Sequence, residues 1–233
     1  MTDHPAARHP VSPHVGPAPR KPSGEVTTGI ALMIVFALIA PGIDIFAKLA
    51  TQTLPPGEVA LARFIVQLAL LSPVVIWRGA FRNLTMMTLA SHALRGLLLG
   101  IATVCFISAV QQMPVADAIS IFFVEPMILT ILGGVLLGEQ VGWRRYAACL
   151  VGFVGAMIVV RPSFEELGWV ALLPIGTALA FAFYLLLTRH LAPREDPYAM
   201  QGYAGLFGGL FVGTALLIGN GSGSAIFDPV WPD

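Results

Sequence analysis

The stretch VADAISIFFVEPMILTILGGVLL, residues 115–137, decides how this chain is read. It is 23 residues long and almost wholly apolar, and about 20 helical residues cross the hydrocarbon of a bilayer. Midway along it stand Glu125 and Pro126. A carboxylate at mid-membrane costs roughly 2.5–3.5 kcal/mol on insertion scales. Proline removes a backbone hydrogen bond and bends its helix. Residues that are unfavourable in lipid face a bundle interior or a wet cavity, so the pair points to a solute pathway.

Working outward, six further apolar segments have spanning length: residues 29–50, 57–77, 96–112, 143–160, 168–187 and 200–219. None carries the charged outer face of a soluble amphipathic helix. The chain is 56% hydrophobic and 11% charged, against about 25% charged for soluble domains. The reading is an all-α integral membrane protein, a polytopic bundle of seven transmembrane helices whose solvent is the lipid bilayer. The formal net charge is zero, so nothing in the balance suggests nucleic acid. Cys105 and Cys149 lie inside apolar segments and read as small packing residues.

Residues 1–27 differ in kind. They hold six prolines, three histidines (His4, His9, His14) and no apolar run. The composition predicts a disordered, Pro-rich tail, with no short apolar core of a signal peptide. The histidines are read as part of a solvated tail rather than as a metal site.

Basic residues set the orientation. Arg8, Arg20 and Lys21, then Arg78, Arg82 and Arg95, then Arg144 and Arg145, then Arg189 and Arg194 all fall on one side if the helices alternate. The other side receives Lys48 and Arg161. The N-terminus is therefore expected in the cytoplasm and residues 220–233 outside, as an exoplasmic tail. Trp77, Trp143 and Trp169 fall at segment ends, as interface anchors do.

An internal echo follows. GIALMIVFALIAPGIDIFAKLATQTLPPGEVALARF, residues 29–64, and GWVALLPIGTALAFAFYLLLTRHLAPREDPYAMQGY, residues 168–203, share a plan. Each starts at a glycine, runs through one apolar segment with Leu-Ala near its end, crosses a proline-bearing loop and enters a second. Five helices separate the two starts, and an odd number inverts the second copy, as in many secondary transporters. The organisation is thus a first repeat at 28–162 with five helices and the start of a second at 163–219 with two. The final residues, FDPVWPD, are polar, and a product truncated after the seventh helix is the expectation. Helices one to five should pack as one unit. Helices six and seven should dock on it, with Gly205, Gly209 and Gly213 short of close neighbours.

The stretch ISIFFVEPMILTILGGVLLGEQVGWRRYAACLVGFVGAMIVVRP, residues 119–162, resembles the end of an EamA domain of the drug/metabolite transporter superfamily. The matching features are Pro126, the Leu-Gly-Glu at 137–139, Trp143-Arg144, Gly152, Gly155 and the closing Arg161-Pro162. Phe46-Ala47-Lys48 and Ala62-Arg63-Phe64 fit the same domain. The resemblance covers residues 29–219. It implies ten helices in two inverted repeats and a secondary carrier of small metabolites or drug-like solutes, working by alternating access in the bacterial inner membrane. This chain departs from that plan by stopping after seven, so a non-transporting scaffold or an inactive fragment is the other reading. No cofactor or metal is implied.

The candidate pathway residues are Glu125, Pro126, Arg63, Asp44 and Lys48. Glu125 reads as a solute or proton contact, or as a protonated glutamate bonded to a neighbouring helix; both stay open. Asp44 and Lys48 lie four apart on one helix face, acid before base, just after Pro41-Gly42. They suit a gate, and they suit a structural pair with Lys48 reaching toward water. Arg63, within its segment, can pair with Asp44 or Glu125, and the resemblance adds a role in substrate binding or repeat packing. Glu139 reads as a loop anchor. Small-residue spacings at Gly96/Gly100, Gly134/Gly138 and Gly205/Gly209/Gly213 read as packing, with a homodimer as the minor alternative. The expected partners are lipid, a small solute and a coupling proton. No nucleophile–base pair, metal cluster or phosphate-cradling glycine loop is visible, so an enzyme is not expected.

Overall fold

The computed structural model describes residues 23–79, 85–136, 138, 142–160, 168–193 and 195–228. The three tail histidines, Arg82, Glu139, Arg161 and Arg194 lie outside the described residues. Every regular element among those described is a helix: α1 (Ser23–Ala50), α2 (Pro56–Trp77), α3 (Met86–Gln112), α4 (Val115–Phe122), α5 (Glu125–Leu136), α6 (Trp143–Val160), a 3-10 turn (Gly168–Ala171), α7 (Leu172–Leu191) and α8 (Pro197–Gly219). Six stretches among the described residues are long and apolar enough to cross a membrane, with α4 and α5 counting together as one. The polytopic helical bundle expected from the sequence is the fold observed.

Local chemistry places the helix starts. Pro56 opens α2 as its first residue, where a missing N–H costs nothing. Thr85 caps α3, its hydroxyl accepting from Thr88 N at 3.2 Å. Asp196 caps α8, accepting from Tyr198 N at 2.9 Å and Ala199 N at 3.2 Å, with Pro197 next. Two starts differ from expectation. Helix α1 begins at Ser23, inside the segment assigned to the tail, because the run of prolines ends at Pro22. Helix α3 begins at Met86, ten residues before 96, because the threonine cap outweighs the polar His92 and Arg95 that follow.

Helix α1 contains Pro41, and the chain divides there into two units, residues 1–41 and 42–233. Within the second unit, α3 is the central helix. Its most extensive packing is against α7 and α8, with α2 and α4 adding smaller contacts. Helices α4 and α5 also meet α7, and α6 lies on α4 and α5. One core joins Phe64 of α2, Leu99 and Ile107 of α3, Tyr184 of α7 and Val212 and Leu216 of α8. A second joins Val110 and Met113 at the end of α3 to Ala118 and Ile121 of α4.

Helices α7 and α8 therefore do not dock on the outside of a finished five-helix unit; they supply most of the packing of α3. Nor do the glycines of α8 lack neighbours. A Cβ on Gly208 would meet Phe64 Cε1 at 2.7 Å, and one on Gly96 would meet Gly208 N at 2.8 Å. Gly205 lies against Gln67, Gly209 against Phe64 and Gly213 against Leu61. Small residues let α3 and α8 approach closely at Gly96 and Gly208, while Gly205, Gly209 and Gly213 face α2 and line an open apolar cleft between α2 and α8.

The connection after α8 is held by a local carboxylate cap. The Asp228 carboxylate accepts from Gly221 N at 2.9 Å and Gly223 N at 3.0 Å. Both glycines have φ near +70° (72° and 67°), a region side-chain-bearing residues avoid. Gly57 N at the start of α2 donates to Ile226 O at 3.0 Å, which ties this loop to the start of α2.

Candidate functional site

The span that carries Glu125 and Pro126 is broken between them and Phe122. Helix α4 ends at Phe122, Phe123 and Val124 make a turn, and α5 starts at Glu125. Pro126 has no N–H, so it cannot donate to the carbonyl of Phe122 four residues back. Met127 N and Ile128 N both turn to Val124 O at 3.1 Å. The Thr130 hydroxyl donates to Pro126 O at 2.6 Å. Glu125 is 8% exposed, and its Oε1 has no hydrogen-bond partner among the described residues. An unsatisfied buried acceptor costs about 1–3 kcal/mol, more when charged.

Pro126 sits beside it; Arg63, Asp44 and Lys48 do not gather around it. Lys48 makes no pair with Asp44. Its Nζ donates to Val110 O at 2.7 Å and Met113 O at 2.9 Å. These carbonyls at the end of α3 are left over when the helix stops, and a cation is favoured there. Beside it, Gln111 Nε2 donates to Thr51 O at 3.2 Å. Asp44 is half-buried and its charge interacts instead with that of Arg63, on the exposed side of α2.

The richest polar cluster was missed in the sequence. Arg95 is 1% and His92 0% exposed, three apart on α3. Arg95 Nε donates to Thr188 Oγ1 at 2.9 Å and Nη1 to Met200 O at 3.0 Å. Nη2 reaches Tyr184 OH at 3.4 Å, and the guanidinium lies 5.1 Å from the centre of that ring. The Tyr184 hydroxyl donates onward to Gln201 Oε1 at 3.0 Å. Arg95 Nη1 also faces His92 Nδ1 at 3.4 Å, while His92 Nε2 lies 3.2 Å from Glu195 Oε2. Tyr203 stacks on the imidazole, 4.6 Å between ring centres. The cluster joins α3 to α7, α8 and the connection between them. A hint of it was legible: a capping threonine at 85 extends α3 back over His92 and Arg95, at a spacing that shares one face. Arg95 is thus not a loop charge, and it leaves the set of basic residues that argued orientation.

Outside this cluster, Arg78 at the end of α2 pairs with Asp196 at 3.0 Å and lies 4.6 Å from the Tyr198 ring centre. The backbone N–H of Ala199, then that of Tyr198 and the Arg78 charge, hold the Asp196 carboxyl below the usual range.

A family model described as the EamA-like transporter family matches residues 27–161. Among curated proteins, the chain is 30% identical over 151 residues to a riboflavin transporter of Vibrio cholerae, covering 64% of this chain and 51% of that one. It is 30% identical over 141 residues to a riboflavin transporter of Rhizobium johnstonii, covering 58% and 47%. It is 28% identical over 178 residues to an S-adenosylmethionine uptake transporter of Rickettsia bellii, covering 76% and 61%. The chain thus spans about half to three-fifths of the length of these relatives. No solved structure matches significantly.

Proposed function

The chain belongs to the EamA-like transporter family, and from that premise we propose that it serves as a secondary carrier of a small metabolite across the bacterial inner membrane by alternating access. The observation that carries the proposal is Glu125: a buried carboxylate with an unpartnered oxygen, at the joint of a broken spanning helix. Discontinuous helices form binding sites in many carriers, because their free backbone ends meet the solute. In this reading Glu125 contacts the solute or a coupling proton, and Pro126 keeps the Phe122 carbonyl available. Asp44 and Arg63 form a charge-compensated pair along the gate. Lys48 is a positioning residue that fixes the end of α3. The five-helix segment at 28–162 is the first repeat and 163–219 the start of the inverted second.

The relatives' names give a solute class. Riboflavin and S-adenosylmethionine both join a flat heterocycle to polar groups, and a solute of that class is the one we assign. An uptake and export screen in cells lacking related carriers tests it. Saturable movement of one such heterocyclic metabolite is expected; no movement of any member of the panel would sink the reading.

Orientation belongs to the same proposal. With Arg95 removed from the ten basic residues counted in the sequence, nine still argue for a cytoplasmic N-terminus. In a background without Cys105 and Cys149, Ser222→Cys should react with an impermeant thiol reagent in intact cells. Ala192→Cys should react only after permeabilisation. The reverse pattern would overturn the assignment.

A further inference from the structure

We propose that Glu195 and His92 form a proton-binding site whose occupancy loosens the junction of α7 and α8 with α3. Hydrogen-bond directions assign the resting state. Arg95 has only donors, so the His92 Nδ1 that faces Nη1 at 3.4 Å is an acceptor. The ring proton then sits on Nε2 and is donated to Glu195 Oε2 at 3.2 Å. A neutral imidazole therefore bridges a guanidinium and a carboxylate, and the buried array carries no net charge.

One added proton upsets that balance wherever it settles. On Glu195 it removes the negative charge that offsets Arg95. On His92 it must occupy Nδ1, where two donors then oppose each other at a buried site and two positive charges adjoin. Water reaches the array through Glu195, whose side chain is 18% exposed, while His92 is fully enclosed. Among the described residues, no other charge relieves the added one. The charges acting on His92 are those of Glu195 and Arg95. Helix α8 offers Tyr203, whose ring stacks on the imidazole and whose hydroxyl lies in the field of the Glu195 charge, and α7 offers Tyr184 and Thr188, already engaged by Arg95. Helix α2 contributes Arg78 at this end, which Asp196 holds.

The groups that would let go are the ones that hold the bundle. Arg95 is anchored to Thr188 of α7 and to the backbone of Met200 in α8. A change in its electrostatic surroundings acts on both helices at once. The inference stands on this geometry and not on the transport reading, and its test reads structure rather than flux.

The test is backbone hydrogen exchange of the full chain in detergent, followed by mass spectrometry at pH 7.5 and 4 with intrinsic rates corrected. For wild type, protection of peptides covering residues 198–206 should fall roughly tenfold at the lower pH. Glu195→Gln keeps an acceptor oxygen for Nε2–H but no charge. It should show the low protection at both pH values. His92→Gln should also lose the pH dependence. Equal protection at both pH values in wild type, or an unchanged pH response in Glu195→Gln, would overturn the proposal.

Discussion

The ammonium of Lys48 lies 2.7 Å from the carbonyl oxygen of Val110 and so closes the end of α3 from the side of α1. The relationship joins residues 62 positions apart and explains why a lysine is kept in an apolar segment. Its charge meets backbone carbonyls that no further turn of helix can satisfy. Lys48→Met keeps the apolar stem and loses the cap. Hydrogen bonds to a charged group contribute about 1.5–3 kcal/mol, so the thermal midpoint in detergent should fall measurably. An unchanged midpoint would mean the ammonium does not stabilise α3.

The packing of α8 against α3 on one face and α2 on another predicts opposite outcomes at two glycines. Gly96→Ala places a methyl against Gly208 N at 2.8 Å, and overpacking of this kind costs about 1–3 kcal/mol. Gly213→Ala meets only Leu61 Cδ1, at 3.7 Å. Replacing that glycine restricts the unfolded chain and gains about 0.4–1 kcal/mol. Thermal unfolding of both variants checks this; equal effects would contradict the packing described.

Acid should weaken the cap of α8. The Asp196 carboxyl is held below its ordinary range by Ala199 N–H first, with Tyr198 N–H and Arg78 adding to it. A depressed folded value gives stability that is complete above the unfolded value, about 3.9, and lost as pH falls through the folded one. Asp196→Asn keeps the cap acceptor without the charge. Its deficit in thermal midpoint against wild type should be full at pH 6 and shrink below about pH 4. A constant gap across that range would rule the carboxylate charge out as the cause.

The sequence carried the helical bundle well, because lipid-crossing helices announce themselves by length and hydropathy. Pro126 likewise marked the break in its span, since a missing N–H acts locally. What stayed hidden depended on distant partners. Arg95 looked like a loop charge because its hydrogen-bond partners, Thr188, Tyr184 and Met200 O, stand 89 to 105 residues away. Lys48 looked like the partner of Asp44 because four-residue spacing is visible in a sequence and a helix end 62 residues on is not. The glycines of α8 could be recognised as a packing face, but not the helices they would meet.

The central claim is that Glu125, whose Oε1 has no hydrogen-bond partner among the described residues at the α4–α5 joint, lies on the solute path. The direct measurement is solute flux into liposomes holding the purified chain, with wild type and Glu125→Gln at equal insertion, across pH 5 to 8. The account predicts saturable wild-type flux and a loss of at least roughly tenfold in the variant, as expected when a group that contacts the moving species is removed. Wild-type rates in Glu125→Gln at every pH would contradict it.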